Sequence, residues 1–259
     1  MRSGTLSLAF AAALTGSCSS QVTTAMPDAP PDMPSTNAPP PPGPDAPPGD
    51  AGMVRGADAP PVDAGLPFGG YNPTAVGDSW TYRISFTGQT PSNQTVTVSK
   101  NAGSTYELVT TVDDGSSTFV DTYQVTSAGA SLSSETDTFN GSMSVSTLTY
   151  QPPYLLIPAD LSSGKVVTST TLLTMTSGTS TTQVSYMATI TVNGAESVQV
   201  PAGTFTALKL TTVVVVQTIP SGETGTVTGR HWLAKDVGYV KADSSDGTWT
   251  MELVSSNLH

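Results

Sequence analysis

From Thr204 to Gln217 the chain runs without a glycine or a proline, and Thr, Val and Leu supply most of it. Leu208, Leu210, Val214 and Val216 fall at period two, which is the spacing of one face of a β-strand. Val213 to Val216 are apolar on both phases, so this half of the strand is expected to be covered on both faces. At ~3.3 Å per residue the run would span on the order of 45 Å, longer than most strands, so a bend or bulge is expected within it. A segment of this kind needs strand neighbours, and the rest of the chain supplies them.

Trp80, Tyr82, Ile84 and Phe86 alternate with Thr81, Arg83 and Ser85, the pattern of a half-buried strand. Further strands are expected around Val96 and Val98, Tyr106 to Val112, Phe119 to Val125, Leu172 to Met175, Val184 to Val192, Val198 to Val200, Val227 to Leu233, Val237 to Ala242 and Trp249 to Leu253. Asn140-Gly141 and Asn193-Gly194 read as two-residue hairpin turns, which need positive φ at both central positions. Beyond the first of these turns, Met143 and Val145 lie on one phase and Leu148 and Tyr150 on the other, which predicts a bulge near Ser146. Pro152-Pro153 argues against a central strand there, because proline cannot donate to a ladder. No segment sustains a 3.6-residue period, and Thr, Ser and Val are poor helix formers. Eleven to thirteen antiparallel strands predict an all-β fold: a strongly curved sheet or open barrel, with a β-sandwich as the alternative.

The ends of the chain differ from this middle. Residues 1–18 have an early Arg2, an apolar Leu6 to Leu14 and a terminal Cys18, the only cysteine, so no internal disulfide can form. This stretch resembles a bacterial lipoprotein signal, and the resemblance implies cleavage before Cys18 and its acylation. It departs from that pattern in having Thr15 three places before the cysteine, where an aliphatic residue is preferred. An ordinary secretory signal is the competing reading. Ser19 after the cysteine implies sorting to the outer membrane. Residues 19–65 are rich in Pro, Ala and Asp, with Asp-Ala-Pro-Pro at 28–31, 45–48 and 58–61. Such a segment cannot bury enough apolar surface to order itself, and it reads as a linker with a reach of roughly 140 Å. Residues 66–259 then form the β domain, and the likeness of residues 73–80 to residues 158–167 points to two related halves, 66–150 and 151–259.

Of the net charge of −11, residues 19–65 carry −5 and residues 66–259 carry −7, offset by Arg2. An acidic domain with scattered Lys and Arg argues against nucleic acid as a partner. No stretch after the signal is long and apolar enough to span a membrane as a helix, so the expected membrane link is the lipid anchor.

Val76-Gly-Asp-Ser-Trp80, Val200-Pro-Ala-Gly-Thr-Phe205 and Trp232-Leu-Ala-Lys-Asp-Val-Gly-Tyr-Val-Lys241 together resemble uncharacterised bacterial envelope lipoproteins. Those proteins are similar in layout to the curved sheets of periplasmic lipoprotein carriers, whose helical plug has no counterpart in this sequence. The shared motifs are turns and core aromatics, and they carry over no catalytic residue.

Catalytic and metal signals are weak. Gly77-Asp78-Ser79 resembles the opening of one esterase family, but neither His231 nor His259 has the Asp three places earlier that such an enzyme needs. Asp113 to Ser116 and Asp243 to Gly247 lack the ligand spacing of a calcium loop and read as turns. No glycine loop precedes a helix, and no cofactor is nominated. The expected function is that of a non-enzymatic envelope lipoprotein, a structural or binding module on a flexible stalk. The alternative is a carrier of an apolar ligand such as an acyl chain, lined by Trp80, Phe86, Tyr106, Tyr186, Trp232 and Trp249. The same six aromatics would otherwise simply fill the core, the favoured reading.

Overall fold

The computed structural model describes residues 70–140 and 144–259. The described chain forms twelve strands and no helix. In order these are β1 (Ser79–Phe86), β2 (Ser92–Asn101), β3 (Thr105–Val112), β4 (Ser117–Thr126), β5 (Gly129–Phe139) and β6 (Ser144–Pro158), then β7 (Val166–Ser177), β8 (Ser180–Val200), β9 (Gly203–Ile219), β10 (Thr224–Ala234), β11 (Gly238–Ser244) and β12 (Trp249–Asn257). Each strand pairs antiparallel with the next, and β12 returns to pair with β1, so the sheet closes into a barrel. Closure leaves no unpaired edge strand, which answers the edge problem of a curved sheet directly.

The alternation of the sequence decides which side chains enter the barrel. Trp80, Tyr82 and Ile84 on β1 are all buried, and their β12 partners Met251 and Leu253 are buried with them. On β9 the inward set is Leu208, Leu210, Thr212, Val214 and Val216, all buried. The long run is therefore a strand, but it is covered on one face only: Val213 is 36% exposed. The irregularity expected inside it is also absent, because β9 pairs with β10 in unbroken register from Ala207 to Gln217. The bulge sits on its partner instead.

That partner, β8, passes straight through Asn193-Gly194, where no hairpin turn forms. Its register against β9 shifts there, between Val192 and Gly194, and Gly194 takes φ of 110°. The glycine's freedom at positive φ serves a bulge that bends β8 rather than a turn that ends it. Beyond the bend, Ala202 N–H in the β8–β9 turn donates to the Leu253 carbonyl of β12 at 3.0 Å.

Two other expectations are corrected in β6. The register across Ser146 is regular, since Val145 simply faces solvent at 51% exposure. Pro152 and Pro153 do lie within a central strand. Ladder pairing with β7 stops at Gln151, and pairing with β5 resumes only at Tyr154, so neither proline is asked for an N–H. The Thr171 hydroxyl donates to the Pro152 carbonyl across the gap. The turn at Asn140-Gly141 reaches outside the described residues, although Phe139 and Ser144 on either side of it are paired.

Residues 70–78 precede β1 and lie across one end of the barrel. Asp236 N–H donates to the Gly70 carbonyl, Asn101 Nδ2 to the Thr74 carbonyl at 2.7 Å, and Gly77 N–H to the Val98 carbonyl. Asp78 is buried, and its carboxylate accepts from the Ala75 and His259 N–H groups at 2.9 and 2.8 Å. The strap is thereby tied to β2 on one side and to the β10–β11 turn on the other.

Candidate functional site

Near the strapped end the barrel interior is not filled. A cavity of about 120 Å³ remains, bordered by inward residues of β1 to β6, β8, β11 and β12 and by Asn72 and Pro73 of the strap. A single water needs roughly 10–15 Å³ measured in this way, so the space suits several waters or one small organic group.

Tyrosine makes most of its wall: seven of the eight tyrosines in the chain border it. Tyr106 on β3 stacks on Tyr123 of β4 with ring centroids 4.8 Å apart and planes within 2°. Tyr154 on β6 lies 6.1 Å from Tyr150 and 6.1 Å from Tyr186 of β8, at interplanar angles of 27° and 62°. Tyr82 and Tyr239 close the ring, with the Tyr82 hydroxyl donating to the Tyr239 carbonyl at 3.0 Å. Such offset and edge-on pairs are the favoured aromatic arrangements, and they hold the rings in place. At the mouth, Asn72 Nδ2 donates to the Tyr106 hydroxyl at 3.1 Å, which ties the strap to the wall.

The floor is acidic. The alternation of β4 turns Asp121 inward between Phe119 and Tyr123, and Asp121 stands opposite Glu135 in register with β5. Asp121 and Glu135 both border the cavity, and Asp137 is buried one inward position further along β5. Glu135 is 1% exposed, and burial, followed by repulsion from Asp121 and Asp137, pushes its carboxyl well above the usual carboxylate range. Burial also raises Asp137, partly offset by its hydrogen bond with Glu135. Glu135 Oε1 and the Tyr186 hydroxyl are buried without a hydrogen-bond partner. Burial raises the wall tyrosines above their ordinary value, so they remain neutral phenols.

The residues bordering the cavity include no Lys, Arg, His, Ser or Cys. Among the described residues, no group of three or more His, Cys, Asp and Glu is arranged to hold a metal. Chemically the site offers aromatic faces, phenol hydroxyls and two carboxyl groups, which can bind and orient a molecule and exchange protons with it.

Of the six aromatics named from the sequence, Trp80, Tyr106 and Tyr186 border the cavity. Phe86 and Trp249 do not: they are register partners at the opposite end of the barrel. Trp232 does not either, because on β10 it is His231 and Leu233 that share the inward phase. Trp232 lies on the outer side of the barrel wall, under Lys209 and Lys241 with their ammonium nitrogens 5.2 and 5.7 Å from its ring centre, and its Nε1 donates to Glu196 at 2.6 Å. It is nonetheless only 5% exposed, packed in a cluster with Val198, Val200 and Ala207 of the bent hairpin. His231 is fully buried, and burial lowers it to about 4. Cys18 lies outside the described residues.

Sequence reasoning missed the carboxyl groups and five of the wall tyrosines, Tyr82, Tyr123, Tyr150, Tyr154 and Tyr239. A signal did exist: Phe119, Asp121 and Tyr123 share one phase, so an acidic residue was due to point inward.

The family described as DUF3108-like matches residues 82–257. No curated protein matches the chain. Among solved structures, a candidate lipoprotein from Parabacteroides distasonis is similar at 14% identity and a TM-score of 0.45, over 72% of this chain and 98% of that one. A candidate exported protein with a YmcC-like fold from Bacteroides fragilis gives 14% identity and a TM-score of 0.43, over 71% and 97%. The hypothetical lipoprotein YmcC from Escherichia coli gives 10% identity and 0.40, over 70% and 86%.

Proposed function

The chain belongs to the DUF3108-like family, and we propose that it is an exported binding module of the bacterial envelope, lipid-anchored through Cys18. In this reading residues 19–65 form a stalk that holds the barrel away from the membrane, and the barrel receives a small, largely apolar ligand. The observation that carries it is the tyrosine-walled cavity beneath the strap. A twelve-strand barrel is wide enough to enclose a ligand cavity, and a void left empty costs stability through lost contacts. Pockets lined by aromatic rings with a few polar groups are the usual form of a small-molecule site. Binding rather than turnover is favoured because the cavity border brings acids and phenols together without a histidine base or a serine or cysteine nucleophile.

Three tryptophans are present, and Trp80 alone borders the cavity. In a Trp232→Phe/Trp249→Phe double variant of the full chain, Trp80 becomes the sole indole reporter. Titration with the neutral fluorophore 2-naphthol should quench Trp80 by energy transfer, saturably and at one equivalent per chain. A linear, non-saturating response would defeat the proposal.

A further inference from the structure

The chemistry of the floor narrows the ligand class. Two carboxyl groups, Asp121 and Glu135, border the cavity, and no basic side chain borders it with them. Glu135 Oε1 is buried with no partner, and the Tyr186 hydroxyl is in the same condition. Leaving such atoms unsatisfied is costly, and a carboxyl group is the costliest case. A neutral acyl chain in this space would leave both unsatisfied, and an anion would be repelled. A metal ion is disfavoured by the absence, among the described residues, of a group arranged to ligate one. The rings of Tyr150, Tyr154 and Tyr186 lie at 6.1 Å spacings and unequal tilts around the same space. Faces presented from several directions, with a carboxylate behind them, form the arrangement that attracts a diffuse organic cation.

We propose that the cavity takes a small organic cation, a quaternary ammonium or protonated amine head group, with Glu135 as its counter-ion and Tyr150, Tyr154 and Tyr186 as its cage. This rests on the reading of the cavity as a ligand site and specifies what that site selects. The apolar substituents of the head group meet the rings, and its charge meets the floor.

Binding is then linked to protons. Glu135 faces Asp121 and Tyr123 from β4, Asp137 on its own strand, Tyr150 from β6 and Tyr186 from β8, all of them acids or phenols. With no basic group among them, an empty cavity favours protonated Glu135. An arriving cation favours the carboxylate and expels that proton, so affinity rises with pH until Glu135 is ionised in the free protein.

Choline and its neutral isostere 3,3-dimethylbutan-1-ol separate charge from shape. Calorimetric titration of the full chain at pH 5 and pH 8 should show choline binding at least about tenfold more tightly than the alcohol at pH 8, a difference of about 1.4 kcal/mol. The advantage should shrink at pH 5. Glu135→Gln should bring choline down to the affinity of the alcohol while leaving alcohol binding in place. Equal binding of both compounds at pH 8 would overturn the cation assignment and leave the cavity reading standing. Binding of neither would overturn both.

Discussion

Glu135→Gln tests the buried carboxyl through stability as well as through binding. Glu135 is 1% exposed beside Asp121 and Asp137, and its folded-state pKa lies above its unfolded value. The sign follows from which state holds more protons. Between the unfolded pKa, about 4.3, and the raised folded value, the native protein keeps a proton that the unfolded chain has lost. Stability therefore falls as pH rises through that window, by about 1.4 kcal/mol per pH unit. About three pH units separate 4.3 from 7.5, so the penalty at pH 7.5 has a ceiling of about 4 kcal/mol. Glutamine is nearly isosteric and does not titrate. Urea unfolding at pH 4.5 should find the variant and the native protein within about 1 kcal/mol of each other. At pH 7.5 the variant should be the more stable by about 1–4 kcal/mol, with an unchanged m-value. A variant less stable than the native protein at pH 7.5, or a gap that does not change with pH, would refute a desolvated Glu135.

Gly129→Ala should destabilise by more than about 3 kcal/mol, because Gly129 takes φ of 144° and an added Cβ would collide with the Ile157 carbonyl; thermal unfolding near that of the native protein would count against the β5–β6 geometry. Lys209→Ala should cost about 1 kcal/mol, since Lys209 reaches Glu196 at 3.5 Å and covers Trp232, and urea unfolding should place that loss above the ~0.5 kcal/mol of an isolated surface lysine. Cys18→Ser should release the protein from the membrane fraction or leave it unprocessed, as read by fractionation and intact mass; unchanged membrane association would end the lipid-anchor proposal.

Much of the barrel was legible because period-two alternation reports burial on one face. Trp80-Tyr82-Ile84 and Leu208-Leu210 are read that way and lie inward. Local turn chemistry misled where a long-range partner decided the outcome. Asn193-Gly194 has the composition of a hairpin turn, but continued pairing of β8 with β9 makes it a bulge. Pro152-Pro153 falls where the ladder has gaps on both sides, which no single strand announces. The cavity was less legible than the fold. Aromatic residues look alike in sequence whether they fill a core, as Trp249 does, or border a space, as Tyr186 does. The meeting of Asp121 with Glu135 depends on the β4–β5 register, which the Thr122/Tyr123 irregularity adjusts.

The central claim is that a ligand sits among the barrel tyrosines. It is tested most directly by labelling all tyrosine rings with carbon-13 in the full chain and recording their resonances on saturation with choline or 3,3-dimethylbutan-1-ol, whichever binds the more tightly. Seven of the eight tyrosines border the cavity, and Tyr71 does not. The account predicts shifts for those seven, largest at Tyr150, Tyr154 and Tyr186, with Tyr71 unmoved. Shifts confined to Tyr71, or none at saturation, would contradict it.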